Sequence, residues 1–398
     1  MFYTRLFFIF LAVQTVAHAG PQKAVCVVPV ADLLGDSAQK GNSAQLQKSY
    51  FSLPLAPKKI NEPARVHQLL FNEVVMIKEI RGHEALIEIP HLFYETTNLK
   101  QPQTHYWTLV SNLKTFDQLA QHGINPTSFP LPLTRNKERF EKALHNTASL
   151  TRPFFDVATN KTYSAGTRFV VAEKTDTHLA VHAFDLKQKG LMRVSIPKNI
   201  CFMHEEKDHH ERVRDFVAIV TSWAHDQSGF IPYVWGGCSI GQLCSKDHFI
   251  EEDGGFYRNE LPNHLPLAGL DCTGLVARAA HLAGIPYFYK NSFTLAKYLA
   301  PLQHNDAVAD GDLIWIPGHV MVVSSVAKAK LVEARHYSHG YGKVHEISLA
   351  QQFQGIDSYE KLAKTFFSKR SLKRLDKSGK VVQVIPEFKI LKLASVWH

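Results

Sequence analysis

Two short segments, far apart in the chain, limit the possible folds more than any other feature. Residues 270–276 read LDCTGLV, and residues 318–323 read GHVMVV. Asp271 is a favoured N-cap residue, and the apolar residues after Cys272 share one helical face, so the first segment predicts a helix that begins at the cysteine. The second segment predicts an apolar strand that begins at His319. We therefore expect a core in which a helix packs against a sheet.

Cys272 and His319 are the candidate reactive pair. A cysteine attacks a carbonyl carbon as its thiolate, and a nearby histidine is the base that removes the thiol proton. The positive end of the helix dipole lies at the first residue of a helix, which favours the thiolate form of Cys272. Taken alone, each residue has a plainer interpretation, as an inert buried thiol or a structural histidine.

The length and charge of the chain limit its organisation and its partners. A chain of 398 residues is long enough for two or three domains, and 45% hydrophobic with 20% charged residues is typical of globular proteins with apolar cores. The formal charge of +9 and the isoelectric point near 9.1 favour an anionic partner. Nucleic acid, a membrane surface and a bacterial wall polymer all fit that charge.

Residues 1–19 predict a secretory signal peptide. Arg5 precedes an apolar run at 6–13, and the small residues at 17 and 19 fit cleavage after Ala19. The run has about half of the ~20 residues that a membrane-spanning helix needs, so a retained anchor helix is the alternative. Export to the periplasm or cell envelope argues against nucleic acid as the partner. No later segment is long and apolar enough to span a membrane.

The cysteine count argues against a disulfide scaffold. Five cysteines are few and odd in number for an exported chain, so at least one thiol is free. Cys238 and Cys244 are close enough in sequence to bridge each other, or they are two plain buried thiols. Together with His248 they have a loose metal-ligand spacing, but no fourth ligand is evident. We expect no metal and no organic cofactor.

The N-terminal half predicts small β-barrels. Residues 71–80 and 84–89 alternate in polarity around a turn at 81–83, and residues 167–173 and 177–182 repeat that hairpin pattern. We predict one barrel over residues 20–115 and a second over 150–205. The linker between them, 116–149, contains a Pro-rich stretch at 125–133 and a short helix at 136–144.

Residues 206–350 predict an α+β domain, in which helices precede an antiparallel sheet. One helix has apolar residues at helical spacing between Val213 and Trp223, the second begins at Cys272, and a third covers 293–299. The predicted strands are 313–316, 319–324 and 330–334. Residues 361–398 carry ten Lys or Arg against two Asp or Glu, which indicates a solvated surface or an attraction to an anionic polymer. Strand-like patterns at 381–385 and 388–393 predict that 351–398 is a folded extension that packs on this domain.

Two further motifs give these segments a family resemblance. Residues 232–237 read PYVWGG, and residues 310–314 read DGDLI. In this order, the four motifs resemble the NlpC family of cell-wall cysteine peptidases, which have a papain-like fold. The resemblance covers about residues 210–350, and the β-rich region before it resembles the bacterial SH3-like domains that often precede this catalytic module. It implies an α+β catalytic domain that follows two SH3-like barrels.

The resemblance implies a role for each motif residue. Cys272 would be the nucleophile, in an Asp-Cys-Ser-Gly element with Thr273 in place of serine, and His319 would be the general base. Tyr233 would hydrogen-bond near the nucleophile and shape the oxyanion site, and Trp235 would line the cleft beside it. In family members that need a free peptide N-terminus, Asp271 and Thr273 lie where its ammonium binds, and a carboxylate suits that role.

The chain departs from the family at two places. The family has histidine or another polar residue on the strand after the base, where this chain reads LVEA at 331–334. Glu333 would therefore orient the imidazole and stabilise its cation, with His336 as the alternative. The stretch 238–270 is longer than is usual and is either a surface excursion or a lid over the cleft.

The expected function is hydrolysis of peptidoglycan stem peptides by an exported, monomeric cysteine peptidase through a thioester. By resemblance, the bond is that between D-γ-glutamate and a diamino acid, in short peptides with an exposed L-Ala amine. Alternatives are an amidase or acyltransferase on the same fold, a non-catalytic wall-binding protein, and an exported effector that acts on host proteins.

Overall fold

The computed structural model describes residues 20–38, 43–51, 53, 65–89, 92–95, 102–241, 251–252, 256–257, 267–336 and 341–398. The predicted signal peptide, and most of the long stretch 238–270 with Cys244 and His248, lie outside the described residues. No helix in the described ranges has the length and apolar character needed to cross a membrane.

The N-terminal region is a seven-stranded antiparallel sheet with one helix. Its elements are β1 Gln22–Cys26, β2 Val30–Leu34, α1 Ser43–Phe51, β3 Arg65–Leu70, β4 Val74–Arg81, β5 Glu84–Glu88, β6 His105–Leu109 and β7 Leu113–Thr115. The strand order is β3-β2-β6-β5-β4-β1-β7. The hairpin predicted over 71–89 is confirmed as β4 and β5, in which Arg81 pairs with Glu84 across the turn.

The second strand-rich region follows two short helices. Its elements are α2 Phe116–Ala120, α3 Lys137–Leu144, β8 Thr147–Leu150, β9 Phe154–Asp156, β10 Lys161–Tyr163, β11 Arg168–Lys174, β12 His178–Asp185, β13 Gly190–Pro197 and β14 Cys201–Met203. Five strands form a sheet in the order β13-β12-β11-β8-β14. The helix predicted at 136–144 corresponds to α3. It begins after Asn136, whose side chain accepts the Arg139 N–H and caps the helix.

The two strand-rich regions share one hydrophobic core. Phe71 of the first region packs against Tyr163 and Phe169 of the second, with ring centroids 4.9 and 6.2 Å apart. Leu119 and Phe129, from the segment predicted as a linker, are buried in the same core. The segment 116–149 therefore contributes side chains to this core, and its last residues belong to strand β8.

The remaining chain contains the helices and strands of the candidate site. Its elements are α4 His209–Ala224, β15 Cys238–Ser239, β16 Glu251–Glu252, β17 Phe256–Tyr257, β18 Gly269–Leu270, α5 Cys272–Leu282, α6 Ser292–Tyr298, β19 Leu313–Ile316, β20 His319–Ser325, β21 Lys330–Arg335, β22 Lys343–Ser348, α7 Leu349–Gln352, α8 Tyr359–Phe367, β23 Leu372–Leu375, β24 Val381–Ile385 and β25 Lys389–Leu391. The main sheet has the order β22-β21-β20-β19-β25, and all its pairs are antiparallel.

This sheet is buried on both faces. Val320 and Val322 lie in the core with α4 and α5, whereas the intervening Met321 lies in a second core with Phe353 and Leu362. Because alternate residues of β20 contact opposite layers, the strand reads as a continuous apolar run. The basic C-terminal extension forms the second layer, and its strand β25 pairs directly with β19.

The N-terminal sheet packs against the segment that leads to α5. Gln68 accepts hydrogen bonds from the Cys238 N–H at 3.0 Å and the Ser239 hydroxyl at 2.7 Å. Arg278 of α5 forms an ion pair with Glu73 at 2.8 Å. The active region is therefore held by side chains from both halves of the molecule.

Candidate active site

Cys272 is the first residue of α5. The Asp271 side chain accepts the Gly274 N–H and caps the helix, as the sequence predicts. Glycine is needed at 274 because a Cβ there would collide with the Gly237 carbonyl of the Trp-Gly-Gly turn. The backbone N–H groups of Val320 and Thr273 are close enough to the Cys272 sulfur to favour its anionic form. The sulfur therefore lies against the start of β20, beside the residue that follows His319.

The protonation state of Cys272 differs from the sequence expectation. Burial, and next the Asp271 carboxylate, raise the pKa of the thiol to about 12, and the Val320 N–H and Lys290 offset only part of this. Desolvation destabilises the Cys272 thiolate by more free energy than the helix N-terminus stabilises it. The resting Cys272 is therefore a neutral thiol.

His319 is the first residue of β20, and it follows a two-residue turn in which Gly318 has a φ of +81°. It is 8% exposed, and its Nε2 lies 2.6 Å from Oε2 of Glu333. An ionised carboxylate only accepts hydrogen bonds, so Nε2 carries the proton and Nδ1 holds the lone pair. Burial, and next Arg374, lower the pKa of His319 to about 4, so the ring is neutral near pH 7 and Nδ1 is available as a base.

Glu333 is fully buried on β21, with two arginines and two histidines around its carboxylate. Besides His319, it lies 2.8 Å from Arg374, 3.3 Å from His345 and 3.6 Å from Arg335. Burial alone would raise its pKa, but Arg374 and the two histidines hold the pKa well below 4.5. Glu333 is therefore ionised, which suits a group that orients and stabilises an imidazolium.

Tyr233 and Trp235 flank the turn before α5. Tyr233 is 6% exposed, and its N–H donates to the Gly342 carbonyl at 2.8 Å. The ring of His336, the alternative partner for His319, lies 5.2 Å from the Tyr233 ring. Trp235 is 45% exposed, which leaves its indole accessible to a ligand. Its neighbour Gly236 has a φ of +69° and packs against the backbone of Arg65.

Asp271 and Thr273 have an internal partner that the sequence did not predict. Nζ of Lys290 lies 2.8 and 3.1 Å from the two carboxylate oxygens of Asp271. The Thr273 hydroxyl lies 2.9 Å from the Asp271 carboxylate and 2.5 Å from the Lys290 carbonyl, and its single proton has these two acceptors. A lysine of this chain thus stands beside the carboxylate that was expected to meet a substrate ammonium.

Sequence reasoning missed the residues that set the charge of this site. Arg374 is 41 residues from Glu333 in the chain and belongs to the basic extension, where nothing distinguishes it from its neighbours. Gln352 donates to Glu333 at 3.3 Å from a third element, α7. Lys290 follows an aromatic run that carries no ligand motif. No local pattern marks any of these three.

Cys238 is a free, buried thiol, and Cys244, the residue considered as its disulfide partner, lies outside the described residues. Among the described residues, no three His, Cys, Asp or Glu side chains are placed to hold a metal ion.

Comparisons with known proteins identify a related fold. No family model matches the sequence, and no curated protein matches it. An NlpC/P60 family protein from Bacillus cereus ATCC 10987 has a similar structure, with a TM-score of 0.50 and 14% identity over 82% of this chain and 94% of that chain. NlpC2 from Trichomonas vaginalis matches with a TM-score of 0.31 and 10% identity over 83% of this chain and 95% of its own. The peptidoglycan hydrolase RipB from Mycobacterium tuberculosis matches with a TM-score of 0.24 and 19% identity, over 47% of this chain and 68% of that chain. The first of these likenesses shows an NlpC-type fold.

Proposed function

We propose that this chain is an exported cysteine peptidase that hydrolyses the stem peptides of peptidoglycan. The main support is the hydrogen bond between His319 and the buried Glu333. His319 begins β20, and the backbone N–H of the next residue, Val320, is close enough to the Cys272 sulfur to lower the pKa of the thiol. A thiol, a neutral imidazole and an ionised carboxylate in this order are the parts of a cysteine hydrolase site. The fold shared with an NlpC/P60 family protein supports the same conclusion.

The proposed reaction begins with transfer of the Cys272 proton to Nδ1 of His319. The sulfur forms a bond to the amide carbon, and Glu333 stabilises the imidazolium through Nε2. The imidazolium then protonates the leaving amine, the C–N bond breaks, and a thioester remains on Cys272. Water, deprotonated by His319, attacks the thioester and releases the acid and the free thiol. Tyr233 shapes the oxyanion site, and Trp235 lines the substrate cleft.

The substrate follows from charge and from the family resemblance. A net charge of +9 suits an anionic wall polymer, and the predicted signal peptide would place the enzyme in the periplasm or cell envelope. The proposed bond joins D-γ-glutamate to a diamino acid such as diaminopimelate. In this proposal the two N-terminal sheets are SH3-like domains that flank the cleft and restrict the length of the peptide.

The test is digestion of defined muropeptides, followed by mass spectrometry of the products. We expect new peptides from the wild type and from Cys201→Ala, a control that removes a free thiol on β14. Cys272→Ala should give none, because the thioester cannot form. Equal product from Cys272→Ala would overturn the proposal, as would no product from the wild type. An acyl group transferred to an added amine would identify the enzyme as an acyltransferase instead.

A further inference from the structure

Lys290 occupies the position of a cation beside Asp271, next to the nucleophile. On the basis of the proposed function, we infer that Lys290 makes the enzyme select peptides whose N-terminal nitrogen is acylated and uncharged. Such peptides are stem peptides still joined by an amide to the glycan strand. Free peptides that begin with an ammonium would be poor substrates, contrary to the expectation drawn from the family resemblance.

Both oxygens of the Asp271 carboxylate already have partners within this chain. Lys290 Nζ contacts both oxygens, at 2.8 and 3.1 Å, and also lies 3.4 Å from the Thr273 hydroxyl. Oδ1 also accepts from the Gly274 N–H at 2.5 Å and lies 2.9 Å from the Thr273 hydroxyl. The pair of Asp271 and Lys290 has no net charge, so it does not attract a further cation.

Lys290 is held in place and cannot easily give way to a substrate. Its side chain is 1% exposed, whereas that of Asp271 is 13% exposed. Its backbone N–H donates to the Phe93 carbonyl at 3.0 Å, and Tyr289 beside it forms a parallel bridge with Phe93. Moving the ammonium away from Asp271 would leave an unpaired charge in the interior, which is strongly unfavourable.

The charge of Lys290 is stable at neutral pH. Burial lowers the pKa of a lysine, but Asp271 and the nearby Cys238 raise that of Lys290 by more, so its pKa lies above 10.5. A substrate ammonium at Asp271 would therefore lie next to a second ammonium in a poorly solvated place, where like charges repel strongly. An N-acylated substrate brings no charge and avoids this repulsion.

The test compares two synthetic peptides that differ only at the N-terminus. Both contain L-Ala, γ-linked D-Glu and diaminopimelate, one with a free amine and the other N-acetylated. For the wild type at pH 7, we expect kcat/KM for the acetylated peptide to be larger by at least about 10-fold. The ratio should shrink as the pH rises through about 8, where the free α-amino group loses its proton.

Variants of Lys290 test the assignment to this residue. Lys290→Gln keeps a hydrogen-bond donor but removes the charge, so the ratio should fall and the free-amine peptide should gain. Lys297→Gln is the matched control, because Lys297 also pairs with a carboxylate, Glu95, at 2.7 Å but does not contact Asp271. Its ratio should equal that of the wild type.

The outcomes separate this inference from the proposed function. Cleavage by the wild type with equal or greater kcat/KM for the free-amine peptide would overturn the inference and leave the peptidase intact. If the wild type cleaves neither peptide, both the proposed peptidase activity and this inference are wrong. If circular dichroism shows that Lys290→Gln is unfolded, the wild-type ratio and its pH dependence still decide the question.

Discussion

Replacing Glu333 with glutamine tests whether this carboxylate acts in catalysis as well as in folding. Glutamine has nearly the same shape, so the substitution removes one negative charge without opening a cavity. In the structure Oε2 of Glu333 lies 2.6 Å from Nε2 of His319 and 2.8 Å from the guanidinium of Arg374. Both interactions lose their ionic partner in the variant.

The expected fall in kcat for Glu333→Gln follows from these contacts. A hydrogen bond to a charged group is worth about 1.5–3 kcal/mol, which corresponds to about 10- to 150-fold in rate. Arg374 and Arg335 would then face His319 without a counter-charge and would oppose formation of the imidazolium. In Ser-His-Asp triads, an amide in place of the carboxylate lowers kcat about 10⁴-fold. We therefore expect kcat to fall by at least about 100-fold and toward 10⁴-fold.

Stability should also fall, by about 3–5 kcal/mol, because two buried arginines lose a partner. Glu346→Gln is the matched control: Glu346 lies on the adjacent strand β22 and accepts from Lys330 and Ser324, both at 2.8 Å. It should lose stability and keep kcat. The assay combines muropeptide kinetics with denaturant unfolding of both variants. A folded Glu333→Gln enzyme with kcat within about 3-fold of the wild type would refute the role assigned to Glu333.

Two further predictions concern protonation at the site. Arg374 is the second cause, after burial, of the lowered pKa of His319, so Arg374→Gln should raise that pKa and move the acid limb of the kcat/KM profile from near pH 4 to higher pH. The control Arg370→Gln, which changes an exposed arginine, should leave the limb in place. An unmoved limb in Arg374→Gln would contradict the electrostatic role of Arg374. Because burial raises the pKa of Cys272 to about 12, the rate of its alkylation by iodoacetamide in a Cys201→Ala background should rise steadily from pH 7 to 9. An alkylation rate that does not change over this range would instead indicate a preformed thiolate.

The elements of the candidate site were predictable because their signals are local. A helix beginning at Cys272 depends on a cap and an apolar face within a few residues, and α5 begins there. The strand at His319 depends on a run of apolar residues, and β20 begins at that histidine. Glu333 was predicted from the family resemblance, because it stands where the family has a polar residue on the strand after the base, and it lies 2.6 Å from His319.

The charges of the site were not predictable, because they come from residues remote in the chain. Arg374 reaches Glu333 from an extension 41 residues away, and Lys290, which meets Asp271, is 19 residues away in the chain, beyond the end of α5. The pKa of Cys272 shows the same limit, since a helix N-terminus predicted a thiolate and burial reversed it. Local sequence specifies backbone conformation through neighbours within one turn or strand. Desolvation and ion pairing depend on which distant groups the folded chain brings together, and these decide the protonation states on which the chemistry depends.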